Sequence, residues 1–305
     1  MKNKITLLML TITLLVGSAK AQEWEFGVFV GPAQYQGDLS KAQVTWKYTR
    51  LQGGVLARYN LTPNIAFKGG INYGIVKGDD KAWGSKLPAD FKMSDYGLNN
   101  GISKNANYYD RNKRNLNFRS HIIEATVQLE YNILPFIPGS SKYRWTPYLL
   151  AGVSVFHFNP KTDLAGQTYK LRGLQTENNK PNYSLISFAI PTGFGVKYNF
   201  GRLWSISFEI AGRKTFTDYL DDVHDNYPAY DGSNSIAQQL ADRSGQATNP
   251  TTGQQYPQFG VLKSPGGLAQ ESGKLRRGDS RDKDTYIFTG FTLTKTIRKF
   301  VCANF

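Results

Sequence analysis

Cysteine is almost absent from this 305-residue chain: Cys302 stands alone, so no internal disulfide can form, and no role is expected for it. Histidine is scarce as well. His121, His157 and His224 are too few for a zinc cluster, which needs several His, Cys or carboxylate ligands converging. Beyond the first residues there is no apolar run of ~18, which excludes a helical membrane span. Aromatics are not lacking. They make up 13% of residues, with 18 Tyr and 18 Phe, and a disordered chain does not carry such a load.

The opening residues describe a cleavable secretory signal over residues 1–21. Lys2 and Lys4 precede an apolar stretch from Ile5 to Val16, and Ala19-Lys20-Ala21 closes it in an A-x-A pattern. The stretch is too short to span a bilayer as a helix. Cleavage is expected after Ala21, leaving Gln22 as the mature start, and no Cys sits at the junction to take a lipid anchor. The net charge of +14 falls to +11 without the leader (14 minus the three lysines Lys2, Lys4 and Lys20). Nucleic acid is not the expected partner, because the basic residues are spread through long loops among Asp residues and form no stripe beside an aromatic platform. An anionic surface such as lipopolysaccharide, or an acidic protein, suits an exported chain better.

Alternation supplies the fold. Phe188, Ile190, Thr192, Phe194, Val196, Tyr198 and Phe200 occupy every second position, and Trp204, Ile206, Phe208 and Ile210 do so again after Gly201-Arg202. Side chains alternate faces with a period of two in a strand, so this is a hairpin with one apolar face. Similar runs occupy Trp24 to Val30, Leu51 to Tyr59, Ile65 to Ile75, about Leu116 to Ile133, Pro147 to Phe158 and Asp284 to Thr296. The run from Pro147 to Phe158 is apolar at nearly every position, which leaves its facing open.

The connections, among them a polar segment from Pro32 to Tyr48 and a polar loop from Asn159 to Asn182, go long, short, long, moderate, long, short, long. Short turns at one end and long loops at the other are the pattern of outer-membrane barrels. The prediction is an all-β, eight-stranded antiparallel up-and-down transmembrane barrel over residues 22–305. It has both termini in the periplasm, a long outer loop at about 218–283 and a short tail at 298–305. Its apolar faces meet outer-membrane lipid. Eight strands leave an interior that side chains can fill. Arg58, Lys68, Glu124, Glu130, Lys197, Glu209 and Arg213 face inward on this reading, as does Gln128, and charges of both signs should pair across the lumen. Gly53-Gly54 and Gly69-Gly70 fit points where strands bend.

Candidate chemistry is thin. Ser120 and His121 are neighbours in a strand and point to opposite faces, which spoils them as a catalytic pair. Asp218, Asp221, Asp222 and Asp225 could serve calcium, which takes carboxylate oxygens. Their spacing departs from the standard loop, however, and neutralisation of nearby Arg213 and Lys214 is expected instead. Arg277-Gly278-Asp279 matches an adhesion tripeptide of a kind common by chance. No catalytic residue, cofactor or metal site is expected.

Several segments together resemble the PorG-like outer-membrane barrels of the type IX secretion system. They are Gly74 to Asp80 (GIVKGDD), Asn117 to Glu124 (NFRSHIIE), Trp145 to Val153 (WTPYLLAGV), Phe188 to Pro191 with Gly195 to Asn199, and Arg213 to Val223 (RKTFTDYLDDV). The resemblance implies a non-enzymatic part of a secretion machine that touches a periplasmic ring built from a lipoprotein and its partner. It makes Thr62, Pro63, Asn64, Gly201, Arg202, Arg298 and Lys299 the candidate periplasmic contacts. The alternative is a general structural or adhesive barrel whose long loops bind external partners.

Overall fold

The computed structural model describes residues 23–40, 46–83, 114–178, 180, 182–248, 253–259, 262, 277–278, 280 and 282–297. The predicted leader, the tail with Arg298, Lys299 and Cys302, and Asp279 lie outside these residues. Eight long strands are β1 (Glu23–Gln36), β2 (Arg50–Asn60), β3 (Ile65–Asp79), β4 (Asn117–Asn132), β5 (Trp145–His157), β8 (Ile186–Phe200), β9 (Trp204–Thr215) and β10 (Thr285–Ile297). Two short ones, β6 (Pro160–Leu164) and β7 (Gln167–Lys170), lie between β5 and β8. The long strands pair antiparallel in the order β3-β2-β1-β10-β9-β8-β5-β4, and β3 also pairs with β4, so the sheet closes. The chain therefore folds as an eight-stranded transmembrane β-barrel with no open edge, as a lipid environment demands of a sheet.

The wall is apolar on its outside. Leu51 is 71% exposed, Val153 65% and Phe188 62%, far more than soluble surfaces tolerate in one continuous belt. Bulky rings gather at the short-turn end of this belt, where Trp24 lies opposite Tyr59 in register and Trp145 opposite Tyr198. Such rings form the girdle of a membrane barrel where the wall meets the interface. The strand from Trp145 to His157 is now unambiguous. Leu149, Val153 and Val155 face out, while Tyr148, Leu150 and Phe156 are buried inside.

The strands have 11 to 16 residues, more than the ~9–11 a tilted strand needs to cross a bilayer. The surplus projects at the long-loop end, and there the polarity inverts. Ala33, Tyr35, Val76, Phe118, Ile122 and Phe288 turn inward and are buried. Gln34, Lys77, Arg119 and His121 occupy the alternate, outward positions. Above the belt the outer face meets water, so the apolar set moves inside. This inversion explains why β1 runs to Gln36, although Pro32 to Tyr48 is expected to be a polar connection. The expected loop from Asn159 to Asn182 also differs, because it contains the β6–β7 hairpin. Ala165 and Gly166 both have positive φ (51° and 81°), the geometry of a tight two-residue hairpin turn.

The described parts of the long loops fold onto the barrel as a cap. Leu39, Leu116, Phe158, Leu164, Leu171, Tyr183, Leu220, Val223 and Leu240 form one core with the inward residues of the strand tops. A short helix, α1 (Ile236–Ala241), lies in this cap, its N-terminus closed by the Ser235 side chain accepting from Gln238 N. Of the four paired glycines, Gly54 is the one a close approach requires. A Cβ there would meet Asn72 Oδ1 at 2.3 Å and the Ile71 carbonyl at 2.4 Å.

Candidate functional site

The lumen is filled from one mouth to the other. All seven predicted lumen charges point into it. Arg58 is the hub of the lower layer. Its Nη1 donates to Glu25 at 3.2 Å, and its Nε and Nη2 lie 2.9 and 3.3 Å from the Glu130 carboxylate. Lys68 bridges Glu209 at 2.5 Å and Glu130 at 3.3 Å, and Lys197 also donates to Glu130. The Tyr148 hydroxyl donates to Glu209 at 2.8 Å, and the Lys197 ammonium sits 4.4 Å from the Tyr148 ring centroid. A second layer joins Arg213 to Glu124 at 3.3 Å, with Asn72 and the Tyr286 hydroxyl donating to the same carboxylate.

Glu25 was missing from the expected network. It sits between Trp24 and Phe26, and only the pairing of β1 with β2 shows that it faces Arg58 directly. With it, four carboxylates (Glu25, Glu124, Glu130, Glu209) meet four cations (Arg58, Lys68, Lys197, Arg213) among the described inward residues. The balance matters, because an unpaired buried ion costs several kcal/mol (about 3–5 kcal/mol when a partner is removed).

The short-turn mouth is stoppered. Phe136 is fully buried, and its ring lies 5.6 Å from the Lys197 ammonium. Its own N–H donates to the Pro63 carbonyl at 2.9 Å. The Asn64 side chain donates to the Asn132 carbonyl at 2.9 Å, and Thr62 accepts from the backbone of Asn64 and Ile65. The Asn199 side chain donates to the Ile137 carbonyl at 2.8 Å. Thr62, Pro63 and Asn64 are thus stapled to the neighbouring turn. Gly201 and Arg202 instead form an exposed turn, with Gly201 at φ 81°.

The acidic stretch after β9 does not neutralise Arg213 and Lys214. Arg213 is committed to Glu124 inside the barrel, and Lys214 is exposed. The aspartates build the cap instead, because Leu220 and Val223 between them anchor in its apolar core and draw the chain inward. Asp222, at φ 70°, accepts from the hydroxyls of Thr176 and Tyr183, each at 2.7 Å, and pairs with Lys180 at 2.5 Å. Asp218 accepts from or shares a proton with His224 Nδ1 at 2.6 Å. The Tyr35 hydroxyl lies 2.6 Å from Asp221 and 2.8 Å from Asp284. A phenol has one proton to give, so both contacts are hydrogen bonds only if one carboxyl keeps its proton and donates it back. Burial, and then the mutual approach of the acids, pushes Asp221 and Asp284 well above the ordinary carboxyl range, while burial pushes Asp218 up to about 6. Arg277 of the adhesion-like tripeptide is buried against Glu177 at 3.0 Å, so its guanidinium is not presented to a receptor. No group of metal-ligating side chains converges among the described residues.

A family model described as Domain of unknown function (DUF6089) matches residues 99–236, less than half of the chain. No curated protein sequence matches it. Among solved structures the chain is similar to the N-terminal β-barrel domain of Pseudomonas aeruginosa OprF, at 10% identity over 91% of this chain and 100% of that one, TM-score 0.35. It is similar to Neisserial surface protein A (NspA) at 10% identity over 90% and 97% of the two chains, TM-score 0.38. With Pseudomonas aeruginosa OprG the figures are 9% identity, 92% and 98%, and a TM-score of 0.34. The barrel assignment rests on the closed strand pairing, not on these likenesses.

Proposed function

We propose that this chain is an outer-membrane barrel that works as a solid anchor, non-enzymatic, with its short turns and both termini in the periplasm. In this reading it belongs to the type IX secretion machinery and docks the periplasmic ring formed by a lipoprotein and its partner. The observation that carries the proposal is the filled lumen. A barrel packed with paired charges and stoppered by Phe136 offers no conduit, so its work falls to its two ends. At the short-turn end the backbone is stiff, with Thr62, Pro63 and Asn64 tied to the adjacent turn and Arg202 standing out beside Gly201. A stiff projecting surface suits docking, because little ordering entropy is lost on contact. The segments resembling the secretion-barrel family support the same reading.

The test is co-purification. A tagged barrel extracted in mild detergent should bring down the ring lipoprotein, and Arg202→Glu should weaken that recovery without altering heat-modifiable migration on a gel. Normal cargo secretion in a deletion strain, with no ring protein recovered, would remove the secretion role. A second reading, a barrel that binds external partners, is favoured by the cap: its loops share a packed core and present a defined surface. Replacing residues 225–248 by a short linker should abolish such binding and leave ring recovery intact.

A further inference from the structure

One feature of the outer wall serves neither the lumen nor the docking turns. Where β3 and β4 leave the apolar belt, Lys77 lies directly opposite Arg119 in register, and Arg119 lies directly opposite Lys161 on β6. Three cations thus stand side by side across three strands. Like charges directly opposite one another in a sheet are destabilising, so a row of three asks for a counter-ion. The row lines a pocket of about 330 Å³, to which Arg50 and His121 also contribute. Asp163 is the carboxylate in its lining. Asp163 and Thr168 hold Arg119 Nη2, at 3.2 and 2.9 Å, which fixes the guanidinium without consuming the other cations. Asp79, two residues beyond Lys77, lies outside the pocket lining, where it accepts from Lys81 N and attracts Lys77, whose ammonium sits 5.7 Å from the Tyr48 ring centroid.

The height of the pocket identifies its occupant. Directly below it on the same outer face are Ile71 and Ile123, both more than half exposed on the lipid-facing wall. Between them and the cations lies Tyr73, whose hydroxyl is 2.6 Å from His121 Nδ1. A molecule that places acyl chains along this wall brings its head group to the level of the cations. We propose that this pocket binds the phosphate of a phosphorylated membrane lipid, a phosphoglycolipid of the leaflet at the long-loop end, with Lys77, Arg119, Lys161 and Arg50 as its ligands. Arginine forks onto phosphate oxygens in bidentate fashion while the lysines add point charge. The site needs only the lipid-facing wall, and is independent of what the short turns dock.

The experiment uses the full chain in detergent and in vesicles of neutral phospholipid doped with bis-phosphorylated lipid A. Native mass spectrometry counts retained lipid, and heat-modifiable migration reports folding. The wild-type protein should retain the phosphorylated glycolipid. Lys77→Ala with Lys161→Ala should lower its affinity roughly thirtyfold, from the usual contribution of a basic residue near an anionic membrane. Lys142→Ala, on the short-turn side, should leave retention unchanged. Equal retention by the double variant overturns the proposal, and so does equal retention of lipid A stripped of its phosphates. Thermal stabilisation by inorganic phosphate as large as that by the lipid would make this a free-anion site and overturn it too. If the double variant fails to fold, Lys161→Gln serves in its place. Relieving the row should raise the stability of the lipid-free barrel, and a fall instead would count against the proposal.

Discussion

Glu130→Gln is the sharpest test of a dry, paired lumen. The carboxylate is fully buried and is shared by three cations: Arg58 through two nitrogens at 2.9 and 3.3 Å, Lys68 at 3.3 Å, and Lys197. Glutamine keeps the shape but removes the charge and turns an amide N–H2 toward groups that are themselves donors. The lower layer then holds three cations against Glu25 and Glu209. Removing one partner of a buried ion pair costs about 3–5 kcal/mol, or about two to three and a half powers of ten in the unfolding equilibrium. Urea unfolding from lipid vesicles, followed by tryptophan fluorescence, reads this directly, because Trp24, Trp145 and Trp204 stand on the exposed wall near the short turns. Adding Lys197→Met restores the balance of two cations and two carboxylates, and should recover most of the loss. Neutralising both members of a buried pair is often close to neutral in energy. A Glu130→Gln protein within about 0.5 kcal/mol of wild type, the scatter expected of an ordinary surface change, would mean that water reaches these charges and that the pairing does not hold the barrel. Simple additivity of the two substitutions would say the same.

The cap should loosen as pH rises. Asp221 and Asp284 have carboxyl groups raised by burial and by neighbouring acids, and Asp218 is raised to about 6. A group whose pKa is higher folded than unfolded binds its proton more tightly in the folded state. Its stabilising effect is complete below the unfolded value and fades as pH climbs through the folded one. Hydrogen exchange at the amides of Leu220 and Val223, which donate to Asp284 and Asp221, should therefore be better protected at pH 5 than at pH 7.5 after correction for intrinsic rates. Asp221→Asn should flatten that dependence, and unchanged pH dependence would reject the shared proton. At the opposite mouth, Phe136→Ala should cost about 3–5 kcal/mol of barrel stability, the range for deleting a buried ring. It should also expose Lys197 to an amine-acylating reagent; a wild-type labelling rate would show that Phe136 is not the stopper.

The strands and their outward faces were legible because lipid imposes one rule on half of every strand. Wherever the wall crosses the belt, as in Phe188 to Phe200, odd and even positions separate cleanly. The lumen charges were legible for the same reason, since Arg58, Glu130 and Lys197 stand on the face opposite to lipid. What the alternation hid lies above the belt. There the two faces exchange character, so Ala33 and Tyr35 read as part of a polar connection. The run from Pro147 to Phe158 reads as apolar on both sides because Tyr148 and Leu150 line the lumen at one end and Phe156 enters the cap core at the other. The acids from Asp218 to Asp225 were misassigned because their partners are distant in sequence. Tyr35 is 186 residues from Asp221, and Thr176 is 46 from Asp222. Phe136 sits in a connection flanked by prolines at 135 and 138, where no periodicity marks a residue that folds back into the barrel. Glu25 could have been found from the alternation alone, because it stands between Trp24 and Phe26 and so on the face away from lipid.

Charge accounting ties the filled barrel to its outer surface. Residues 22 onward carry a net +11 (14 minus Lys2, Lys4 and Lys20), whereas the described lumen holds four acids and four bases and contributes nothing. The described lumen therefore holds none of the excess. A row of cations above an apolar belt attracts lipid phosphates from the surrounding leaflet, and the field is screened over about 8–10 Å at physiological salt. It acts on what touches the wall, not on distant partners. Lys77, Arg119 and Lys161 stand in one cross-strand row, where Arg119 ties β4 to Asp163 and Thr168 of the β6–β7 hairpin. On the proposed reading a lipid head group removes the repulsion left in this row, so extraction of lipid should destabilise the outer rim while the paired charges of the lumen stay as they are.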